Sequence, residues 1–572
     1  MNYVNKTYKI LPVEYKKRIP FLVILLFIGL IFETAGLGIL IPYFSILLDN
    51  NTLNEYPLLS PIFDMLGNPS QTELVIYGII FILFFYLIKS IFQLYSKWKL
   101  ISFVTNLTAT IMDNLFKTYL RRDYKFHTKK NSSEMLKNIQ IETQHFIVLV
   151  QSLLELFLEI TVLIGVLIVT LLVEPIAVLI AFSTIGTFVV LINYFLKKKI
   201  LNLGQIRQEL DGNINKIVME SLSAIKEIKV YNKEEFFSRY LYSKVFSKAH
   251  MTRIYNFFNM IPRSFIEFVA VLALSLIISI SVFMGYSSQQ ILIVVGIFGV
   301  AAFKLIPSAN KIISHRQQII FRKPSVDIIY DELNIKTDET YINNCKKIKF
   351  LHSISISNLY FRYDNESKHV IKDLNLNINK GDVIGIIGES GVGKSTLVDL
   401  ILGLFDPESG SINVDSMNIL ENINGWKKII GYVPQTINLI DEDLVSNILL
   451  GIDKAEIDND RLKNAIKLSQ LESFINNLND GLKTVIGERG VRISGGQRQR
   501  IGIARALYYD PEILIFDEAT SSLDSNTELG IMKSIDNLIG RKTIIIISHK
   551  MSTLNNCNKI YKLIDGKLKL EQ

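Results

Sequence analysis

Hydrophobic positions are concentrated in the first 310 residues or so, where they form runs long enough to cross a lipid bilayer. Apolar runs of about 20 residues predict transmembrane helices, because a helix of that length spans the hydrocarbon core. We predict six such helices, at residues 20–47, 74–96, 144–172, 175–196, 262–284 and 290–307. From about residue 345 short apolar strands alternate with helical segments. The pattern therefore predicts an α-helical membrane domain followed by an α/β domain.

Basic residues lie on one side of the predicted helices. Residues 48–73 contain no lysine or arginine, whereas the long loops 97–143 and 197–260 are rich in both. Because basic loops stay in the cytoplasm, we expect both termini and both long loops there, as helical extensions of the spans. The net charge of +8 then reflects membrane topology and lipid headgroups, and we expect no nucleic-acid partner.

The tips of the two cytoplasmic loops combine aromatic and charged residues. These tips are residues 121–126 and 226–236. Such a mixture predicts short helices that dock onto another domain, and a solvated helical turn is the alternative.

A glycine-rich segment follows the apolar strand predicted at 383–387 and precedes a helix. It fits the pattern G-x-x-x-x-G-K-[ST] and consists of Gly388, Glu389, Ser390, Gly391, Val392, Gly393, Lys394, Ser395 and Thr396. Glycines let backbone amides converge on phosphate oxygens, and the helix N-terminus adds a partial positive charge. Lys394 would reach the β- and γ-phosphates, and Ser395 would complete the shell of a Mg²⁺ ion. The segment predicts binding of a nucleoside triphosphate with Mg²⁺.

Two adjacent carboxylates end a second apolar strand, predicted over residues 511–516. They are Asp517 and Glu518. Within a strand they would point to opposite faces, but this restriction relaxes at its end. We expect Asp517 to bind Mg²⁺ and Glu518 to act as the general base on a water molecule.

Residues 493–500, Ile-Ser-Gly-Gly-Gln-Arg-Gln-Arg, resemble the signature motif of the ABC (ATP-binding cassette) ATPases, and the resemblance extends from about residue 345 to the end. It implies that Tyr363 stacks on adenine and that Gln435 contacts Mg²⁺ and senses the membrane domain. It also implies that His549 contacts the γ-phosphate and that Asp524, in the segment 521–524, couples two cassettes. Glu518, His549 and Gln435 are thus the predicted catalytic residues.

Ser494, Gly495, Gly496 and Gln497 stand at the start of the signature helix. The serine and the glycine amides form a second anion-binding site. In the family this site closes on ATP held by the opposite cassette. Since the chain supplies one phosphate loop and one signature, the resemblance implies a homodimer with a second copy of the same chain.

The order of domains resembles that of the half-transporters among ABC exporters. We predict a transmembrane domain at 1–325, a linker at 326–344 and a nucleotide-binding domain at 345–572. The resemblance implies an ATP hydrolase coupled to transport in the bacterial inner membrane, multi-pass, with the ATPase domain in the cytoplasm. A soluble ABC ATPase is excluded by the predicted spans.

Parts of the membrane half resemble the bacterial lipid-linked oligosaccharide flippases and related polysaccharide exporters. The matching segments are 32–34, 41–44, 125–137 and 305–313. The resemblance implies a membrane lipid or lipid-linked glycan as substrate. The alternatives are an exporter of lipid A or hydrophobic drugs, and an ABC protein that gates or regulates.

Three cations in or near the predicted spans are candidate substrate ligands. They are Lys89, Arg263 and Lys304. A charge in the hydrocarbon region costs about 3 kcal/mol or more, so it faces a watery cavity or a partner. A pyrophosphate-linked head group would suit three such cations. The alternative is an internal ion pair with Glu33, Glu155, Glu159 or Glu267, or snorkelling of Arg263 and Lys304 to the interface.

Overall fold

The structure, a computed structural model, describes residues 2–48, 71–171, 175–334, 347–363, 368–487, 493–519 and 525–571. It divides into two compact units. The first contains residues Met1–Arg122 and His127–Thr337, and the second contains Asp123–Phe126 and Asp338–Gln572. The division after Thr337 falls inside the linker predicted at 326–344.

The first unit is built from helices. These are α1 (Tyr3–Ile10), α2 (Val13–Leu48), α3 (Gln71–Leu120), α4 (Tyr124–Lys129), α5 (Ser132–Lys137), α6 (Thr143–Leu171), α7 (Pro175–Ser223), α8 (Ile225–Val230), α9 (Glu234–Phe283) and α10 (Ser288–Asn334), with a π-helical turn at Asn138–Glu142. Three of them contain 49 or 50 residues. A helix of that length is about 75 Å long, more than twice the thickness of the hydrocarbon core. The basic loops are therefore helical extensions of the spans, as the sequence predicts.

Five helices are long and apolar enough to cross a membrane among the described residues. They cover Val13–Gly36, Val75–Leu120, Ser132–Ile168, Val178–Ser223 and Glu234–Phe283. Each of them overlaps one of the first five predicted spans, although the bounds differ from the predicted ones. The sixth, at 290–307, lies in α10, where several side chains are outside the described residues.

Buried charges tie the helical extensions together. Glu142, in the π-helical turn, accepts hydrogen bonds from Ser325 Oγ at 2.6 Å and from Arg207 Nη2 at 3.2 Å. Arg207 also pairs with Asp211 at 3.5 Å, and Asp211 pairs with Lys248 at 2.6 Å. Glu142, Arg207 and Asp211 are all buried. Separating any of these pairs would leave an unpaired buried charge, which is costly. The network therefore holds the π turn, α7, α9 and α10 in one arrangement.

The second unit is an α/β domain. Its strands are β1 (Ser353–Phe361), β2 (Ile371–Asn379), β3 (Val383–Ile387), β4 (Ser409–Val414), β5 (Met417–Asn418), β6 (Ile430–Val433), β7 (Ile513–Asp517), β8 (Thr543–Ile547), β9 (Lys559–Ile564) and β10 (Lys567–Leu570). Its helices are α11 (Lys394–Ile401), α12 (Ile423–Lys427), α13 (Leu444–Leu449), α14 (Asn459–Leu468), α15 (Glu472–Asn476), α16 (Gly495–Tyr508) and α17 (Ser525–Asp536). One sheet has the order β10-β9-β3-β8-β7-β6, and the other has the order β2-β1-β4-β5.

The first loop tip groups with this domain. Residues Asp123–Phe126 belong to the second unit, and the Tyr124 ring contacts the Phe405 ring edge to face, with centroids 5.6 Å apart. This agrees with a docking helix rather than a solvated turn.

Parallel pairing brings the candidate site residues to one edge of the larger sheet. Strand β8 lies between β3 and β7 and is parallel to both, with Ile547 opposite Ile386 on one side and Asp517 on the other. These strands are almost completely buried, which explains their near-continuous apolar sequences. Their carboxyl ends meet at one edge, where open α/β sheets bind ligands.

Candidate functional site

The phosphate loop connects β3 to α11 through two residues with positive φ. Gly391 has φ +83° and Gly393 has φ +108°, values that side-chain-bearing residues rarely adopt. A Cβ atom on Gly393 would also lie 2.8 Å from Val370 Cγ1. The Lys394 ammonium donates to the carbonyl oxygens of Gly388 at 2.9 Å and Glu389 at 3.0 Å. The loop thus has the compact backbone and the buried lysine that phosphate binding requires.

The predicted adenine-stacking residue lies beside this loop. Tyr363 Oη and Thr396 Oγ1 are 2.9 Å apart, and the Tyr363 ring packs edge-on against Phe405 with centroids 5.7 Å apart. The Tyr363 side chain remains partly exposed, so one side of the ring is available to a base. Of the remaining loop residues, Ser390 and Ser395 are exposed and Val392 is half-buried. Ser395 can therefore offer its hydroxyl to a ligand.

The two carboxylates differ in backbone conformation. Asp517 is the last residue of β7 and is buried, and the Tyr432 hydroxyl donates to it at 3.4 Å. Burial raises the pKa of Asp517, and the neighbouring charge of Glu518 raises it further. Glu518 has φ +49°, in the left-handed region, and its amide donates to the carbonyl of Ile547 at 2.9 Å. This turn ends the alternation of the strand, which allows both carboxylates to serve one site.

Glu518 is at the centre of the predicted catalytic residues. Its carboxylate accepts a hydrogen bond from Gln435 Nε2 at 2.8 Å, and it contacts His549 Nε2. Lys394 Nζ lies 3.8 Å from the same carboxylate. The structure therefore brings together all three predicted catalytic residues and the phosphate-loop lysine. A carboxylate held in this way can accept a proton from a water molecule and orient it toward a phosphate bound by the loop.

A magnesium ion fits the donors present at this edge. Mg²⁺ prefers oxygen ligands and keeps several waters and phosphates in its shell, so it needs few protein ligands. Asp517 supplies a buried carboxylate, Ser395 a hydroxyl and Gln435 an amide oxygen. Within the described ranges no three histidine, cysteine, aspartate or glutamate residues form a metal-binding group.

The start of α16 has the features predicted for the second anion site. Ser494 caps the helix: its hydroxyl accepts from the Gln497 amide at 3.3 Å, and its own amide donates to Gln497 Oε1 at 2.9 Å. Gly495 and Gly496 form the first turn, where the backbone amides are free of helical partners. Asp524, with the rest of 520–524, lies outside the described residues.

Three residues near the site were not found from the sequence. Gln499 Nε2 donates to the carbonyl of Gln435 at 3.0 Å and so holds the backbone of a predicted catalytic residue. Tyr432 donates to Asp517. Asp399, in α11, is half-buried, and desolvation, assisted by the charge of Asp517, raises the pKa of its carboxyl to about 6. Asp399 follows Ser395 by four residues, so helical periodicity could have placed it on the same face.

The structure describes the side chains of two of the three candidate substrate cations. Lys89 is buried; its ammonium donates to Glu33 Oε2 at 2.7 Å and lies 4.9 Å from the centre of the Tyr86 ring. This is the ion pair considered as the alternative for Lys89. Arg263 is exposed on α9, and Lys304 lies in α10 with its side chain outside the described residues. Substrate binding by the three cations stays a prediction.

The fold and site define a P-loop ATP-binding cassette joined in one chain to a unit of long membrane helices. Sequence profiles agree: the profile described as "ABC transporter" matches residues 371–521, and the one described as "ABC transporter transmembrane region" matches residues 21–305. The chain belongs to the ABC transporters, with the arrangement of an exporter half-transporter.

Individual relatives and structures extend this comparison. The chain is 38% identical over 245 residues to the alpha-hemolysin translocation ATP-binding protein HlyB of Proteus vulgaris. The aligned region covers 43% of this chain and 34% of that protein. It is 38% identical over 256 residues to multidrug resistance protein 1 of Entamoeba histolytica, 44% of this chain and 19% of that protein. It therefore spans about a third or less of the length of these relatives. A solved structure of a bacterial Atm1-family ABC exporter with ATP bound superposes with a TM-score of 0.81 at 21% identity, covering 97% of this chain and 94% of that one. This likeness shows the exporter fold.

Proposed function

We propose that this chain is one half of a homodimeric ABC exporter that uses ATP hydrolysis to move a lipid-linked oligosaccharide or polysaccharide precursor across the bacterial inner membrane. The arrangement around Glu518 is the observation that supports it most strongly. The carboxylate contacts Gln435, His549 and Lys394, so each predicted hydrolytic residue is present and in reach. An ABC protein that only gates or regulates does not require this complete set.

The residues have separate parts in the hydrolysis. Lys394 and the loop amides would hold the β- and γ-phosphates, with the nucleotide base against Tyr363. Ser395, Asp517 and Gln435 would hold Mg²⁺, which neutralises phosphate charge when bound. Glu518 would take a proton from the water whose oxygen attacks the γ-phosphorus, while the bond from that phosphorus to the β–γ bridging oxygen breaks and ADP leaves with the bridging oxygen. His549 would contact the γ-phosphate and hold the carboxylate in place. Gln499 would hold Gln435 through its backbone.

A second copy of the chain is part of the proposal. The signature serine at the start of α16 would complete a site only with phosphates bound by another phosphate loop. Exposed apolar side chains around α8 and the start of α9 support a partner there, because such patches mark interaction surfaces. They include Val230, Tyr231, Phe236, Tyr242 and Phe246.

A mixture of two variants tests this arrangement. Lys394→Ala damages one phosphate loop, and Ser494→Arg places a bulky cation at one signature. If sites are shared between chains, a heterodimer of the two variants has one doubly damaged site and one intact site. The mixture should then hydrolyse ATP well above either variant alone. A monomer with full activity, or a mixture no more active than its parts, would contradict the shared site.

The cargo is the most specific part of the proposal and rests on the resemblance of the membrane half. Protein export is the second candidate, because relatives include translocation proteins for alpha-hemolysin. Lipid A and hydrophobic drugs are further alternatives. Purified protein in liposomes should flip a fluorescent undecaprenyl-pyrophosphate glycan in an ATP-dependent manner, with Glu518→Gln as the inactive control. ATP-dependent uptake of an unfolded polypeptide without glycan flipping would favour the second candidate.

Two of the three candidate cations keep a direct place in this proposal. Arg263 and Lys304 are candidates for direct contact with the pyrophosphate, while Lys89 would act through Glu33. Substituting Arg263 or Lys304 with Gln should lower flipping and leave basal ATPase activity unchanged. Normal flipping in both variants would remove them from the substrate pathway.

A further inference from the structure

A cavity of about 650 Å³ lies within the membrane unit of one chain, between α2, α3, α6 and α10. This volume is in the range of sites that bind small molecules. Apolar residues form most of its wall, among them Leu25, Leu26, Phe92, Leu158, Val162 and Ile306. Among the described residues that line the cavity, none belongs to the ATP site or to the three candidate substrate cations.

The two carboxylates in the cavity wall are held by the protein. Glu33 accepts hydrogen bonds from Lys89 at 2.7 Å and from Gln93 at 2.8 Å. Glu159 accepts from Lys311 at 2.7 Å. The Glu33 side chain is 17% exposed and that of Glu159 is 7% exposed. Both negative charges are therefore compensated and largely covered.

The two lysines in the wall are more accessible than the carboxylates. The Lys311 side chain is 59% exposed although it pairs with Glu159, and Lys97 is exposed. In the part of the chain that the structure describes, Lys97 forms no ion pair. Lys89 does not line the cavity but pairs with Glu33 in its wall. Counting Lys89, three ammonium groups stand against two carboxylates at this site. The accessible surface of the cavity therefore attracts an anion.

The position of the lysines points to a lipid. Lys97 directly follows the span predicted at 74–96, and Lys311 lies one helical turn after the span predicted at 290–307. Both predicted ends are cytoplasmic, so the ammonium groups lie near the level of lipid phosphates. An apolar wall beside them matches acyl chains. A lipid with a phosphate head group and apolar acyl chains matches both the lysines and the apolar wall.

We propose that each chain binds one anionic, phosphate-headed lipid of the cytoplasmic leaflet in this cavity. The phosphate lies between Lys97 and Lys311, and the acyl chains lie along the wall of α2, α3 and α6. Lys97 supplies the net attraction, because Lys311 is shared with Glu159. The inference rests on the proposed function only for membrane location and orientation, and the site is complete within one chain.

Lipid binding can be measured without ATP or cargo. Purified protein in neutral detergent is titrated with phosphatidylglycerol, and bound lipid is counted by native mass spectrometry. We expect one tightly bound lipid per chain, and about fivefold weaker binding for Lys97→Gln, the effect of one basic residue near a lipid surface. Lys99→Gln is the matched control, since its ammonium lies 5.4 Å from the centre of the Tyr95 ring and does not line the cavity. Its affinity should equal that of the wild type.

A second variant avoids an unpaired buried carboxylate. Glu159→Gln combined with Lys311→Gln removes both members of the pair, so it tests the lysine without stranding its partner. It should also weaken phosphatidylglycerol binding. Phosphatidylcholine should bind more weakly to the wild type, and inorganic phosphate should not compete at millimolar concentration.

Three results would overturn the inference. They are equal lipid affinity in Lys97→Gln and the wild type, equal binding of phosphatidylcholine, and displacement of the lipid by inorganic phosphate, which would indicate a site for free anions. A failed flipping assay with Lys97-dependent lipid binding would contradict the proposed cargo and leave this inference standing.

Discussion

Replacing Lys89 with methionine tests whether this cation is structural. The substitution keeps most of the length of the side chain and removes its charge, so Glu33 loses the ammonium at 2.7 Å and keeps the hydrogen bond from Gln93 at 2.8 Å. The Lys89–Glu33 pair is largely buried, with side-chain exposures of 5% and 17%. Breaking such a pair by removing one partner costs about 3–5 kcal/mol. We expect Lys89→Met to lose about 3 kcal/mol of stability.

The second partner provides the internal check. Glu33→Gln combined with Lys89→Met removes both charges, so the double variant should be more stable than the sum of the two single effects predicts. A coupling free energy of about 2 kcal/mol is expected from the double-mutant cycle. Thermal unfolding of purified protein measures it, with a fall in Tm of roughly 5–10 °C for Lys89→Met. Lys99→Met, on the same helix, should change Tm little.

The opposite result would refute this reasoning. If Lys89 binds cargo and does not support the fold, Lys89→Met would unfold at the wild-type temperature and would lose flipping. The double variant would then show no coupling. Measurement of stability and flipping on the same preparations separates the two roles.

Other predictions concern the ATP site. Glu518→Gln should retain ATP binding and lose ATP turnover by about 100-fold or more, because the general base is removed; a wild-type rate in a malachite-green phosphate assay would assign the base elsewhere. Gln499→Ala should lower kcat about fivefold with little change in the KM for ATP, because it frees the backbone of Gln435; a changed KM with an unchanged kcat would contradict this positioning role. For Asp399 the folded-state pKa is raised to about 6, so its carboxyl favours the fold when protonated, and this contribution is lost as pH rises through 6. Asp399→Asn should therefore stabilise the fold relative to the wild type at pH 8, by at most about 2 kcal/mol because the side chain is only half-buried, and the stabilisation should be much smaller near pH 4, close to the unfolded-state pKa of about 3.9; an equal rise in Tm at both pH values would contradict it.

Local patterns predicted the fold class and selected candidate ATP-site residues that the structure brings together, because each signal lies within a few residues. The phosphate loop, the strand before Asp517 and the long apolar helices are all of this kind. Contacts between segments that are far apart in the sequence could not be predicted from local patterns. The sequence offered four possible carboxylate partners for the candidate cations, and only helix packing pairs Lys89 with Glu33. Likewise, no local pattern connects Gln499 with the backbone of Gln435. Asp399 is different, since its spacing of four residues from Ser395 places both residues on the same face of the helix.

The left-handed backbone conformation at Glu518 means that the stability of the domain and its ATPase activity favour different residues at this position. A non-glycine residue in this region costs about 1 kcal/mol or more, and glycine or asparagine there would relieve part of that cost. Substitutions at position 518 that stabilise the domain therefore remove Glu518, the predicted general base. Under relaxed selection for transport, a chain of this kind should drift toward a well-folded cassette that binds nucleotide without turnover. A directed-evolution experiment that selects for thermostability alone should enrich such silent variants at position 518 first.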